Sequence, residues 1–307
     1  MNFAQQSEEL VRDLTTRNCG PIKPATLQAY NSYLKNHVLP LLGAEDLATF
    51  NNGGLRKFAR DLQAKGLGPK SITEVVSLTK QIVASAVSPD GVLLYPREWN
   101  HKFIDLPPVV KQKQPTVTDE QLAAALKDRY GVFYAILAGT GLRIGEATAV
   151  RYGWDGVHTG WDPTKAAIDV RLSLWGRQEQ DPKTPAAVRI VDLDPKLNEF
   201  LVGYTASRTL PAGAYLFQTS EGTPLWESHL KKYSLKPLGI KGFHAFRRLR
   251  ITRLREIGVP EDIIRYWVGH EGQGITDRYS KLGEKEELRK QWAAKAGLGF
   301  TLPKEIA

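Results

Sequence analysis

A few residues in this 307-residue chain are of the types that handle phosphate chemistry, and each sits in a motif able to hold it. Arg143 stands in GTGLRIGEATAV, where Thr140 and Gly141 punctuate an apolar run and a new helix is expected to begin with Arg143 in its first turn. Backbone N–H groups at a helix start attract anions, and a guanidinium beside them grips phosphate through two parallel bonds. Glu146 follows one turn along the same face. Further on, KGFHAFRRLRITRLREIG carries Lys241, Arg247, Arg248, Arg250, Arg253 and Arg255 with no acid before Glu256, the densest positive run in the chain. His244 and Arg247 are three apart and share one helix face, while Phe246, Leu249, Leu254 and Ile257 are expected to face a core. A positive helix with an apolar back suits contact with a nucleic-acid backbone, so Lys241, Arg248, Arg250 and Arg253 are candidate DNA contacts. In VPEDIIRYWVGHEGQGITDRYSKL, Pro260 and two acids open a helix, Gly269 closes it, His270 follows, and Tyr279 comes nine residues later. Singly, each residue has an ordinary reading: a surface Arg–Glu pair, a solvated basic face, a capping histidine, a core tyrosine.

The secondary structure expected around these residues falls into two parts. Residues 1–106 read as a small all-helical domain. Leu27, Tyr30, Leu34, Val38 and Leu41 recur at helical steps, with Pro40 limiting that helix. Residues 54–65 give a second helix, and Ser71 to Glu74 reads as a capping box opening a third. Residues 107–115, with their prolines, lysines and glutamines, read as an extended linker. Residues 116–307 form the second part. Thr118 to Gln121 is a capping box, YGVFYAILAG is apolar all round and reads as a buried helix, and the interval after it is strand-rich. Ile168, Val170, Leu172 and Leu174 alternate with polar residues, Val188 to Leu193 suggests a partner strand, and WGRQEQDPKTPA between them reads as a polar hairpin tip. The fold class expected is mainly α with a small antiparallel β-sheet (α+β).

Composition limits the function classes. Lys and Arg exceed Asp and Glu by 42 to 33, a net charge of +9, which hints at nucleic acid without establishing it. The single cysteine, Cys19, excludes an internal disulfide and a cysteine-based zinc cluster. No apolar run approaches the roughly 20 residues of a membrane span, and no signal peptide is expected, so a cytoplasmic, nucleoid-associated protein is the expectation.

Taken together and in order, Arg143 in TGLRIGE, His244 and Arg247 in HAFR, His270 in VGH, and Tyr279 resemble the tyrosine recombinase or phage integrase family. Lys183, in DPKTPAAVRIVDL, fits the family's hairpin lysine, and Glu146 fits the acidic position that supports the first arginine. The chain departs from the pattern at Arg248, where many members have a second histidine, and at Val268, where leucine is usual. The resemblance implies a helical core-binding domain (1–106) and a catalytic domain (116–307) closing as a C-shaped clamp on double-stranded DNA. It implies a homotetramer on paired sites, allows an accessory DNA-bending protein, and assigns the C-terminal helix over 284–297 to subunit exchange. No metal or other cofactor is expected. Tyr279 would be the nucleophile, Arg143 and Arg247 the phosphate clamp, Lys183 the general acid, and His244 and His270 aids to phosphate binding and proton transfer. A type IB topoisomerase and a non-catalytic DNA-binding regulator are the alternatives.

Overall fold

The computed structural model describes residues 1–110, 114–182, 185–270 and 282–303. The chain divides into two compact units, Met1–Gln112 and Lys113–Ala307. Positions 111–113 of the expected linker lie outside the described residues.

The first unit is helical: α1 (Phe3–Thr16), α2 (Pro24–Tyr33), α3 (Leu39–Leu42), α4 (Asn52–Ala64), α5 (Pro69–Ser85) and α6 (His101–Ile104). Its core gathers Phe3, Leu47, Leu55, Leu62, Ile72, Val75 and Ile82, all fully buried. Between α2 and α3 the chain makes a π turn over Leu34–Val38, in which the Leu39 N–H donates to the Leu34 carbonyl. Pro40 explains it. A proline lacks the N–H that a regular helix needs and crowds the carbonyl four residues back. The widened turn accommodates the ring, so the chain stays helical where a stop is expected. The expected Ser71–Glu74 capping box does not form. Helix α5 starts two residues earlier at Pro69, whose fixed φ suits a first helical position, with Gly68 as an N-cap that has no side chain to give.

The second unit begins with α7 (Asp119–Leu126), opened by the expected Thr118–Gln121 capping box. Every residue of α8 (Gly131–Thr140) is buried, as its all-round apolarity requires. After α9 (Ile144–Thr148) come β1 (Arg151–Tyr152), β2 (Gly160–Asp162), β3 (Ala167–Val170), β4 (Ser173–Trp175), β5 (Gln178–Gln180) and β6 (Arg189–Asp192). One sheet has the order β1-β2-β3-β6, and β4 with β5 forms a separate hairpin. The pairs β2·β3 and β3·β6 are antiparallel but β1·β2 is parallel, so the sheet is mixed, a correction to the antiparallel sheet expected. The short connection 153–159 manages this because the Asp155 carboxylate folds it back, accepting the Val157 and His158 N–H groups at 2.8 and 2.7 Å.

The single strand expected over 168–174 is two. Thr159, fully buried, takes the N–H groups of Arg171 and Leu172 on its Oγ1 at 2.9 and 2.8 Å and donates that hydroxyl to the Leu172 carbonyl at 2.7 Å. These groups are thereby withdrawn from the ladder, and the chain leaves the sheet to form the β4–β5 hairpin, turning at Gly176, whose φ is +64°.

The remaining helices are α10 (Pro195–Ala206), α11 (Glu227–Leu230) with a π turn over Lys231–Leu235 after it, α12 (His244–Glu256), α13 (Glu261–Val268) and α14 (Glu286–Ala296). Helix α12 packs on α8, where the Tyr134 and Phe246 rings stack 5.4 Å apart. Ile257 is 41% exposed, outside the core face assigned to it. Helix α14 packs on its own unit, with Ala293 and Ala296 against Leu254, Ile264 and Trp267. A buried ion pair fastens it. Arg289 Nε donates to Asp192 Oδ2 at 2.8 Å, the Trp267 indole donates to the same oxygen at 2.8 Å, and Arg289 Nη1 donates to the Leu282 and Gly283 carbonyls. Among the described residues no helix is long and apolar enough to cross a membrane.

Breaking a buried pair strands one charge in a low-dielectric interior and costs about 3–5 kcal/mol. Arg289→Met is therefore expected to lower the unfolding free energy of the unit that contains it by about 3 kcal/mol, read from the shift in urea midpoint. An unchanged midpoint would show that α14 is held by its apolar face alone.

Candidate active site

Three arginines meet at the C-terminal end of α13. Arg189 Nε donates to the Trp267 carbonyl at 2.6 Å, Arg247 Nη2 donates to the Val268 carbonyl, and Arg143 Nη2 donates to the Gly269 carbonyl at 3.3 Å. The last carbonyls of a helix lack intrahelical partners and carry the negative end of its dipole, so they are a natural seat for guanidinium groups. Gly269 closes α13 with φ +61°, and a Cβ there would sit 3.0 Å from Arg189 Nη1 and 3.2 Å from the Ala187 Cα. Glycine is required both for the left-handed cap and for the approach of the arginine.

Each cation arrives from a different element. Arg143 is the N-cap of α9 rather than a residue of its first turn. Its backbone N–H donates to Glu146 Oε2 at 2.9 Å and its Nη1 to Glu146 Oε1 at 2.8 Å. Arg247 projects from the first turn of α12 and is fully buried. Its Nη1 donates to the Gly141 carbonyl at 2.9 Å, which is available because Gly141 ends α8 with φ +71°. Arg247 Nε finds no partner among the described residues. Burial first, and Arg143 second, pull its pKa down to about 9, which leaves it charged at neutral pH.

Arg189 was not among the residues singled out in the sequence. It is buried on β6 and donates to Glu146 Oε1 at 3.2 Å, to Glu146 Oε2 at 2.9 Å and to the Ala187 carbonyl at 2.8 Å. Burial is the largest influence on Glu146 and would raise its pKa, but Arg189, then Arg143, hold it below the ordinary carboxylate value. The signal that could have found Arg189 is an arginine inside an apolar strand, which needs an acidic partner. Gly145 was also passed over. A Cβ on it would come 2.5 Å from the Leu174 carbonyl, so it lets β4, and with it the hairpin leading toward Lys183, lie against α9 beside Arg143.

His270 and His244 border the cluster, both on exposed positions. Burial of the ring, then Arg247, Arg143, His244 and Arg189, lower the pKa of His270. Burial, then Arg247, Arg248 and Arg143, lower that of His244. Both shifts favour the neutral imidazole, which can donate a hydrogen bond from one nitrogen while accepting a proton at the other.

The structure thus brings Arg143, Glu146, His244, Arg247 and His270 together. Tyr279 and Lys183 lie outside the described residues. Two of the expected DNA contacts are corrected. Arg250 is 3% exposed and donates inward to the Gly297 and Leu298 carbonyls, holding the chain after α14. Arg253 is largely covered and ion-paired with Asp119. Arg248 is half-buried, with its Nε on the Pro115 carbonyl at 2.8 Å. Lys241 is exposed and joins Lys231, Lys232 and Lys236 around a hollow of about 620 Å³. Among the described residues no cluster of His, Cys, Asp or Glu is grouped to hold a metal ion.

A cluster of cations with neutral imidazoles at its edge is an anion-binding site suited to phosphoryl transfer. No family profile matches the chain. The chain is 26% identical, over 83% of its length and 73% of the relative's, to a XerC-like tyrosine recombinase of Caldanaerobacter subterraneus subsp. tengcongensis. It is 24% identical over 74% of its length, but only 37% of the relative's, to transposase B of transposon PsiTn554 from Staphylococcus aureus. Among solved structures, the integrase of transposon Tn1549 bound to a circular-intermediate DNA superposes with a TM-score of 0.70 at 18% identity, covering 95% of this chain and 99% of that one. A lambda integrase tetramer bound to a Holliday junction gives 0.65 at 14% identity, covering 90% and 79%. The chain is thus similar in sequence to a tyrosine recombinase and shares its fold with solved integrases.

His270 and His244 are expected to titrate below 6.5, and Arg143→Ala is expected to move both upward by removing a positive neighbour. An NMR pH titration of the histidine rings measures this. Titration at or above 6.5 in the unaltered protein would contradict the cationic environment described.

Proposed function

We propose that this protein is a site-specific DNA recombinase of the integrase type, cutting and rejoining DNA through a covalent 3′-phosphotyrosine. The observation that carries the reading is the convergence of Arg143, Arg247, His244 and His270 at the end of α13, in a chain whose fold is that of DNA-bound integrases. Double-stranded DNA is the substrate. The helical unit and the catalytic unit would close around it as a C-shaped clamp, and the lysine-rich hollow beside Lys241 would add phosphate contacts. Assembly of four copies on paired sites, with strand exchange through a Holliday junction, is supported by the lambda integrase likeness.

The chemistry follows from the charges. As the Tyr279 oxygen attacks phosphorus, negative charge grows on the non-bridging oxygens. Arg143 and Arg247 stabilise that charge more in the transition state than in the ground state. A phenol has a pKa of about 10 and must lose its proton to attack. A neutral His244 or His270 can take it or hydrogen-bond the phosphate. The P–O5′ bond breaks as the Tyr–O–P bond forms, and Lys183 gives its proton to the departing 5′-oxygen. A 5′-hydroxyl from another strand then reverses the step, releasing Tyr279 and forming a new diester. The ester retains the bond energy, so no nucleotide cofactor is consumed.

A nicked duplex carrying the target site, from which the short strand bearing the new 5′-hydroxyl diffuses away, traps the intermediate. The unaltered protein is expected to form a covalent DNA adduct and Tyr279→Phe none. No adduct with the unaltered protein on its own site, or an adduct with Tyr279→Phe, would overturn the assignment.

A further inference from the structure

We propose that Arg189 is a positioning residue for strand cleavage. From beneath, it ties the clamp arginine Arg143 to the turn that carries His270, so that both reach the phosphate as one rigid unit. This rests on the recombinase reading and adds to it a residue that contacts neither DNA nor the reacting atoms.

The geometry is specific. Arg189 enters from β6, fully enclosed, and spends its donors on three targets. Two donors go to the Glu146 carboxylate at 2.9 and 3.2 Å, the fork-on-carboxylate pairing that fixes both planes. Glu146 in turn holds Arg143 through its side chain at 2.8 Å and its backbone N–H at 2.9 Å. Arg189 Nε goes to the Trp267 carbonyl at 2.6 Å, three residues before His270. The remaining Nη1 contact, to the Ala187 carbonyl at 2.8 Å, ties the guanidinium to the segment that follows Lys183. One planar group thus joins α9, α13 and the strand after the hairpin, with Gly269 kept bare to admit it. A lysine has the charge, but its three donors sit on one nitrogen, so it cannot make the two-nitrogen fork on Glu146 and reach the Trp267 carbonyl as well.

A misplacement of a catalytic group by about 1 Å can cost about 100-fold in rate. Arg189→Met and Arg189→Lys, compared with the unaltered protein, separate positioning from mere folding. The expected result is that both variants keep their circular dichroism and bind target DNA within about threefold, while single-turnover cleavage falls by about 100-fold for Met and by a similar factor for Lys. The defect should shrink on a methylphosphonate linkage, which lacks one charged oxygen and leans less on Arg143, as it should for Arg143→Ala. Without DNA, the His270 ring should also titrate differently in Arg189→Lys, which keeps the charge and loses the tether, whereas in Arg189→Met the lost positive charge by itself moves it upward. Full rescue by lysine would show that charge alone matters and would overturn the proposal. So would a cleavage rate like that of the unaltered protein, or a parallel loss of binding, cleavage and thermal stability. If Arg189→Met does not fold, Arg189→Lys carries the same comparison. If the unaltered protein forms no adduct, the recombinase reading falls, while the His270 titration still decides whether Arg189 holds that turn.

Discussion

The second unit depends on one buried carboxylate. Glu146 stands between Arg143 and Arg189, and its two oxygens accept from both guanidinium groups and from the Arg143 N–H. Burying such a group is costly unless it is fully paired, and losing any partner would leave a charge stranded. Among the described residues the cluster is short of negative charge: three arginines face a single carboxylate, and Arg247 leans on carbonyl oxygens and the helix end. Neutralising that excess is the thermodynamic reason for such a site to take up a phosphate diester, and growing charge on the phosphate strengthens the attraction.

Much of the architecture serves to bring these charges together against their mutual repulsion. Helix α13 supplies three successive carbonyls, Gly141 and Gly269 supply left-handed backbone where the arginines must approach, and α14 is fastened through Asp192 to the strand that carries Arg189. Strand β6 therefore holds an arginine facing the site and an aspartate facing the C-terminal helix, within four residues. Burial, and then the field of the arginines, lower the pKa of His244 and His270, favouring the neutral state in which an imidazole can accept a proton.

The sequence made much of this legible. The all-apolar run of α8, the Thr118 box and the glycine stop before His270 follow from local periodicity and spacing, whereas the grouping of Arg143 and Glu146 with His244 and Arg247 comes from the resemblance to the tyrosine recombinases. What escaped depends on partners distant in the chain. Thr159 breaks the strand at Arg171 through a side-chain bond that no pattern of hydrophobicity records. Pro40 is absorbed by a π turn, wide enough to fit its ring without ending the helix. Arg250 looks like its neighbours in a basic run, yet it turns inward to the carbonyls of Gly297 and Leu298. Charge counting could not separate Arg250, which braces the fold, from Lys241, which faces solvent. Arg189 was hidden for the same reason, because its carboxylate partner lies 43 residues away.

If the Glu146 charge sets the geometry of the proposed cleavage site, Glu146→Gln is the variant that shows it, since the amide keeps the shape and removes the charge. The measurement is single-turnover formation of the covalent adduct alongside DNA affinity. The expected result is affinity within about threefold and cleavage slower by about 100-fold, the cost of a misplaced Arg143. Cleavage at the rate of the unaltered protein, in a folded Glu146→Gln variant, would contradict it.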